Sequence, residues 1–320
     1  MDRFKPAWWL PGPHAQTIWA SVFRRAPRVE TQVERIELPD GDFLDLEWTS
    51  NQGRSIVLIL HGLEGSRRSP YARGMLAACE KRGWRGVLML FRGCGGEVNR
   101  LPRSYHSGET GDLGLVLDLL KRRFPQQPIA AIGFSLGGNV LLKYLGEQGA
   151  AAPVAAAVAV SVPFQLANAA ARLERGFSRC YQWWLLRSLR AKTRTKFARI
   201  PAPVAFGDLM KLTTFFTFDD VVTAPLHGFS GAAEYYHRCS SARYLARIAV
   251  PTLIIHSVDD PFMTPEAIPS DTAISSRVLL EVTARGGHNG FVGGHLPGWA
   301  RYWVDARIPS FLQGFLKNAG

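Results

Sequence analysis

Cysteine is scarce: the 320 residues hold four, Cys79, Cys94, Cys180 and Cys239, scattered and with no Cys-x-x-Cys pair. That spacing excludes a disulfide framework. No Cys/His cluster has the spacing of a zinc site either, so neither a metal nor another cofactor is expected. Free thiols fit a reducing compartment, and a cytoplasmic location is expected. No apolar run reaches the roughly 18 residues that a membrane span requires. The opening Met-Asp-Arg-Phe-Lys-Pro-Ala-Trp-Trp-Leu lacks a signal-peptide apolar core before prolines interrupt it. Fixed-period repeats and low-complexity segments are missing as well. Acidic residues are few, 26 against 38 Lys and Arg, which leaves a formal charge of +12.

What is present is a globular composition. Hydrophobic residues make up 47% and charged residues 20%, enough for a sizeable core in one large α/β domain or two small ones. Residues 1–28 are rich in Trp and Pro and read as an arm packed on the body, with a short helix near 16–24. His14 in that arm reads as a buried or half-buried structural histidine. Two alternating runs, 33–38 and 43–48, flank Pro39-Asp40-Gly41 and predict a β-hairpin. Apolar runs at 55–60, 86–90, 129–134, 155–162, 252–256 and 278–282 predict strands, separated by helical patterns at 71–82, 109–123 and 136–148. A closing helix is expected over 298–317.

Strand–helix alternation after a hairpin predicts a mostly parallel, doubly wound α/β sheet with an antiparallel edge. Residues 163–248 interrupt the alternation and read as a helical cap over the C-terminal strand ends, where ligands bind in such sheets. The expected division is an arm at 1–28, a core at 29–162 and 249–320, and the cap at 163–248.

The chain is organised around Gly133-Phe134-Ser135-Leu136-Gly137, entered by an apolar strand-length run and left by a helical pattern. That is the order of a nucleophile elbow, in which a strained turn lifts a serine hydroxyl clear of a sheet. A glycine-rich turn whose serine is merely small produces the same pentapeptide, so the partners matter. A serine hydroxyl is a weak nucleophile near neutral pH; it needs an adjacent base, itself oriented by a third group. In this architecture the chain order is Ser, then Asp or Glu, then His. Asp259 and Asp260 follow the 252–256 strand, and His288 follows the 278–282 strand after two glycines, which puts all of them on the rim of Ser135. Asp260, four residues past the strand-ending His256, is favoured as the acid; Asp259 is the alternative. Both aspartates also suit loop capping. Two amides facing a nascent oxyanion are expected from Leu136, next to the serine, and from Leu63 in His61-Gly62-Leu63. Gly93-Cys94-Gly95-Gly96 matches neither the P-loop nor the dinucleotide fingerprint and reads as a structural turn.

These residues, with Pro13-His14-Ala15-Gln16-Thr17-Ile18, Phe91-Arg92-Gly93-Cys94-Gly95-Gly96, Tyr105-His106-Ser107-Gly108-Glu109-Thr110 and Gly286-Gly287-His288-Asn289-Gly290-Phe291, resemble the YheT-like bacterial α/β-hydrolases. Those are relatives of the animal abhydrolase-domain lipases. The match runs nearly end to end. The resemblance implies an α/β-hydrolase fold, a Ser–His–Asp triad and hydrolysis of carboxylic esters, lipid esters among them. It puts the nucleophile at Ser135, the base at His288 and the acid within the Asp259-Asp260 pair. The same triad serves thioesterases, amidases and acyltransferases, and the fold without catalysis serves as a binder of hydrophobic ligands.

Residues 172–199 carry nine Lys and Arg against one acid, Glu174, interleaved with aromatics. Peripheral contact with an anionic membrane is one reading, and an ordinary cap helix with snorkelling arginines is the other. No nucleic-acid module accompanies the charge, and a nucleic-acid partner is not expected.

Overall fold

The two alternating runs pair. In the computed structural model, which describes residues 3–316, β1 (Thr31–Glu37) and β2 (Phe43–Thr49) form an antiparallel hairpin. The strands β3 (Ile56–Leu60), β4 (Arg85–Leu90), β5 (Ile129–Phe134), β6 (Ala156–Val160), β7 (Thr252–Ser257) and β8 (Val278–Thr283) run parallel. The order across the sheet is β1-β2-β4-β3-β5-β6-β7-β8, with β2 antiparallel to β4. Every residue of β3, β5, β6 and β7 is buried, as continuous apolar runs require when helices cover both faces.

The arm holds α1 (Pro13–Ile18), continued by a π-helical turn at Trp19–Phe23. One sheet face is covered by α2 (Pro70–Lys81) and α10 (Trp303–Leu312) through Met75, Leu76, Val304 and Ile308. The other is covered by α3 (Thr110–Arg123) and α4 (Leu136–Gln148) through Leu113, Leu117, Val140 and Leu141. Between β6 and β7 lie α5 (Leu166–Leu173), α6 (Ser178–Phe197), α7 (Phe215–Phe218), α8 (Ala224–Leu226) and α9 (Ala232–Cys239). They share an apolar core of Leu166, Leu173, Leu186, Phe215 and Tyr235, into which Leu63 and Phe262 pack from loops after β3 and β7. Among the described residues no helix is long and apolar enough to cross a membrane.

Two elements differ from the pattern in the sequence. An alternating antiparallel strand commonly keeps one face in water, yet all seven residues of β2 are buried. Arginines cover the polar face: Arg35 Nε lies 2.9 Å from Asp45 and Arg73 Nη1 lies 2.9 Å from Glu47. Acidic residues in that strand therefore report ion pairing rather than water. The closing helix is also shorter than 298–317. It starts at Trp303 because β10 (Arg301–Tyr302) pairs with β9 (Val292–Gly293) just before it; residue 317 lies outside the described residues.

Candidate active site

Ser135 joins β5 to α4 at φ 51°, ψ −118°, a left-handed conformation that costs a non-glycine residue about 1–3 kcal/mol. Its neighbours make the turn feasible. A Cβ on Gly133 would lie 2.4 Å from the Gly137 carbonyl oxygen, and one on Gly137 would lie 2.5 Å from that of His61. Only glycine at both positions lets strand, turn and helix close on each other. The Ser135 N–H donates to the Val160 carbonyl of β6 at 2.8 Å, which ties the turn to the neighbouring strand.

His288 reaches this serine from the loop after β8. Its Nε2 is 2.9 Å from Ser135 Oγ, and its Nδ1 is 2.8 Å from Asp260 Oδ2 and 3.1 Å from Oδ1. Asp260 and His288 are buried. Asp259 turns elsewhere: its Oδ1 accepts the Gly287 N–H at 2.9 Å. The adjacent aspartates thus take different work, one facing the imidazole and one holding the loop that carries it. Phe262 lies flat on the His288 ring, centroids 4.0 Å apart at 13°, and its N–H donates to Asp260 Oδ1 at 2.8 Å.

Leu63 and Leu136 line the same pocket as Ser135 and His288. Leu136 opens α4, so its N–H lies among the amides that a helix leaves unpaired. The Leu63 N–H has no acceptor among the described residues. Gly62 permits the approach: a Cβ there would sit 3.2 Å from Ser135 Cβ. Glu64, next along at φ 56°, accepts from Tyr105 Oη at 2.8 Å, from Lys192 Nζ at 2.9 Å and from Ser188 Oγ. The loop after β3 is thereby tied to α6. The pocket, about 90 Å³, has walls of Leu166, Leu173, Leu185, Phe215 and Phe262.

Several contributors are not evident from sequence reasoning. The arm clamps the loop that carries His288: the His288 N–H donates to Thr17 Oγ1 at 2.9 Å, and Gln16 exchanges two hydrogen bonds with the Val292 backbone, at 2.7 and 3.0 Å. The available signal was two polar residues, Gln16 and Thr17, in an arm otherwise rich in aromatics; both are buried. Asp219 also lines the pocket, its carboxylate accepting from Thr223 Oγ1 at 2.5 Å and Tyr236 Oη at 2.8 Å, and burial pushes its pKa up to about 6. His14 is half-buried, its Nδ1 3.1 Å from Tyr181 Oη. The 93–96 loop packs on β2, where a Cβ at Gly95 would lie 2.1 Å from Asp45 Oδ2.

Two further histidines sit beneath the site. His61, at the end of β3, donates from Nδ1 to the Gly62 carbonyl at 2.7 Å and accepts the Phe91 N–H on Nε2 at 3.2 Å, an arrangement that only the neutral ring can make. Burial pushes the pKa of His61, and of His256 in β7, down from 6.5 to about 4. The unfolded chain binds more protons than the native one between those values. Stability is therefore full above pH 6.5 and is lost as pH falls toward 4, by roughly 3 kcal/mol for each ring at most. Urea midpoints measured across that window should fall with pH, and His61→Gln and His256→Gln should each flatten the slope. An unchanged slope in both variants would contradict this assignment.

Six parallel strands flanked by helices, a strained serine between strand and helix, and a histidine and acid on later strand loops define a class of enzyme. A family profile for the alpha/beta hydrolase fold matches residues 55–294, and the chain belongs to the α/β-hydrolase superfamily. Among its relatives is the provisionally named esterase YheT of Escherichia coli (strain K12), 46% identical over 310 residues, 95% of this chain and 91% of that protein. Phospholipase ABHD3 of Homo sapiens is 29% identical over 328 residues, covering 99% of this chain and 80% of that one. In fold, the chain is similar to the Pyrococcus furiosus esterase Pf2001, with a TM-score of 0.61 at 22% identity, covering 90% of this chain and 92% of that one.

Proposed function

We propose that the protein is a cytoplasmic serine hydrolase of carboxylic esters working through Ser135, His288 and Asp260. His288 Nε2 accepts the Ser135 hydroxyl proton as Oγ attacks the ester carbonyl carbon. Asp260 keeps the imidazole in the tautomer protonated on Nδ1 and stabilises the imidazolium that forms. The amides of Leu136 and Leu63 receive the tetrahedral oxyanion; losing one such donor costs about 3–4 kcal/mol of transition-state stabilisation. The imidazolium passes its proton to the departing alcohol oxygen as the C–O bond breaks, leaving the acyl group on Ser135. Water, deprotonated by His288, then attacks the acyl-enzyme, and the acid leaves as Ser135 regains its proton.

The observation that carries this reading is the continuous hydrogen-bonded chain from Ser135 through His288 to Asp260, at 2.9 and 2.8 Å, beside an apolar pocket. Relatives named as an esterase and a phospholipase support an acyl or lipid ester as substrate. Walls of Leu and Phe support an apolar acyl group, and a volume of about 90 Å³ favours a short one. Four free thiols support the cytoplasmic placement.

A fluorophosphonate tests the mechanism without knowledge of the substrate, because it phosphonylates an activated serine. One adduct is expected, located on Ser135 by peptide mass spectrometry, absent from Ser135→Ala and strongly reduced in His288→Ala. A well-folded wild type that stays unlabelled at Ser135 would overturn the reading and favour a ligand-binding role.

A further inference from the structure

The structure divides the basic residues of α6 into two sets. Arg190, Lys192 and Lys196 turn inward. Arg190 donates to the Met210 and Leu212 carbonyls at 3.3 Å, Lys192 to Glu64 at 2.9 Å, and buried Lys196 to Asn99 Oδ1 at 2.9 Å. Arg179, Arg187 and Arg194 face outward, on the side of the helix that also exposes Trp183 (55%) and Trp184 (66%). Phe177, 51% exposed, precedes the first turn. The Arg187 guanidinium lies 5.5 Å from the Trp183 ring centre, and Arg194 reaches exposed Met210. The helix Ser178–Phe197 contains no acidic residue.

We propose that this outward face of α6 docks on an anionic lipid bilayer. Two adjacent exposed tryptophans are costly in water. Their amphipathic rings suit the headgroup boundary, and arginines on the same stripe meet anionic headgroups there. A polyanion such as RNA would use the arginines but has no use for a tryptophan pair without a binding module around it. A second copy of this chain would set arginine against arginine across a two-fold axis. The bilayer alone matches both halves of the surface.

Docking there also faces the pocket. On the inner side of the same helix, Leu185 lines the pocket, and Tyr181 stacks on Phe262 at 5.0 Å, which in turn covers His288. Binding of α6 brings the pocket that we read as an ester site to within one helix diameter, about 10 Å, of the lipid surface.

Co-sedimentation at low ionic strength with vesicles of phosphatidylcholine, and of phosphatidylcholine with phosphatidylglycerol, tests the proposal. The protein should pellet with the anionic vesicles and stay in solution with the neutral ones. The double variant Trp183→Ser/Trp184→Ser should lose about tenfold or more in partition. Each of Arg179→Gln, Arg187→Gln and Arg194→Gln should lose about fivefold. Hydrolysis of a soluble short-chain ester should be unchanged in all of them, and Ser135→Ala should pellet like wild type. Failure of the hydrolase reading would thus leave the binding result intact. Equal, negligible pelleting with both vesicles overturns the proposal, as does wild-type partition in the tryptophan variant. A dimer dissociated by that variant, or RNA binding that survives it, overturns it as well when vesicle binding is missing.

Discussion

Ser135→Ala is expected to lower ester turnover by on the order of 10⁵-fold or more while leaving the fold intact. The proposed reaction has one covalent acceptor, and no other hydroxyl is hydrogen-bonded to His288 Nε2 among the described residues. In the proposed mode the substrate is held by the apolar walls and the amides, so KM should move little. The residual rate should stay above that in water, because the Leu63 and Leu136 amides remain. Alanine keeps a Cβ at φ 51°, so the backbone strain persists. Ser135→Gly should be as inactive yet more stable than Ser135→Ala by about 1 kcal/mol, since glycine enters that region freely. Steady-state kinetics with a chromogenic ester and urea unfolding of the two variants measure both effects. Turnover within a hundredfold of wild type in Ser135→Ala would refute the assignment of the nucleophile.

Asp260→Asn is expected to cost about 10⁴-fold in kcat, and Asp259→Asn less than about tenfold. The difference follows from what each carboxylate touches. Asp260 spans His288 Nδ1 with both oxygens, at 2.8 and 3.1 Å. An amide there offers N–H groups to a ring that must keep its own proton on Nδ1, so the wrong tautomer is favoured and the imidazolium loses its counter-charge. Asp259 accepts one backbone N–H, from Gly287 at 2.9 Å, and the Asn carbonyl oxygen can accept it too. The two variants should therefore separate by about three orders of magnitude in kcat with similar unfolding midpoints. The reverse ranking would move the acid to Asp259.

How much of this was legible depends on how local the cause is. The sheet was legible because strands buried on both faces must be apolar throughout, and β3, β5, β6 and β7 are. The turn at Ser135 was legible because a left-handed serine between strand and helix requires glycine two residues to either side. The burial of β2's polar face was not legible because the arginines that cover it come from β1 and α2. The choice between Asp259 and Asp260 stayed open because both suit the same turn; which side chain meets His288 depends on the approach of a loop 28 residues on.

The sequence by itself determined the order of strands along the chain, the strained serine turn, and the placing of Asp259, Asp260 and His288 on later strand loops, since backbone strain and continuous burial act over a few residues. The tertiary structure alone decided which aspartate faces the imidazole. It alone brought Thr17 to the His288 amide across 271 residues of chain, and turned Arg190, Lys192 and Lys196 inward while leaving Arg187 and Trp183 outside. The physical reason is the same in each case. Side-chain hydrogen bonds are short and directional, so their partners are set by how packed elements meet in space rather than by neighbours along the chain.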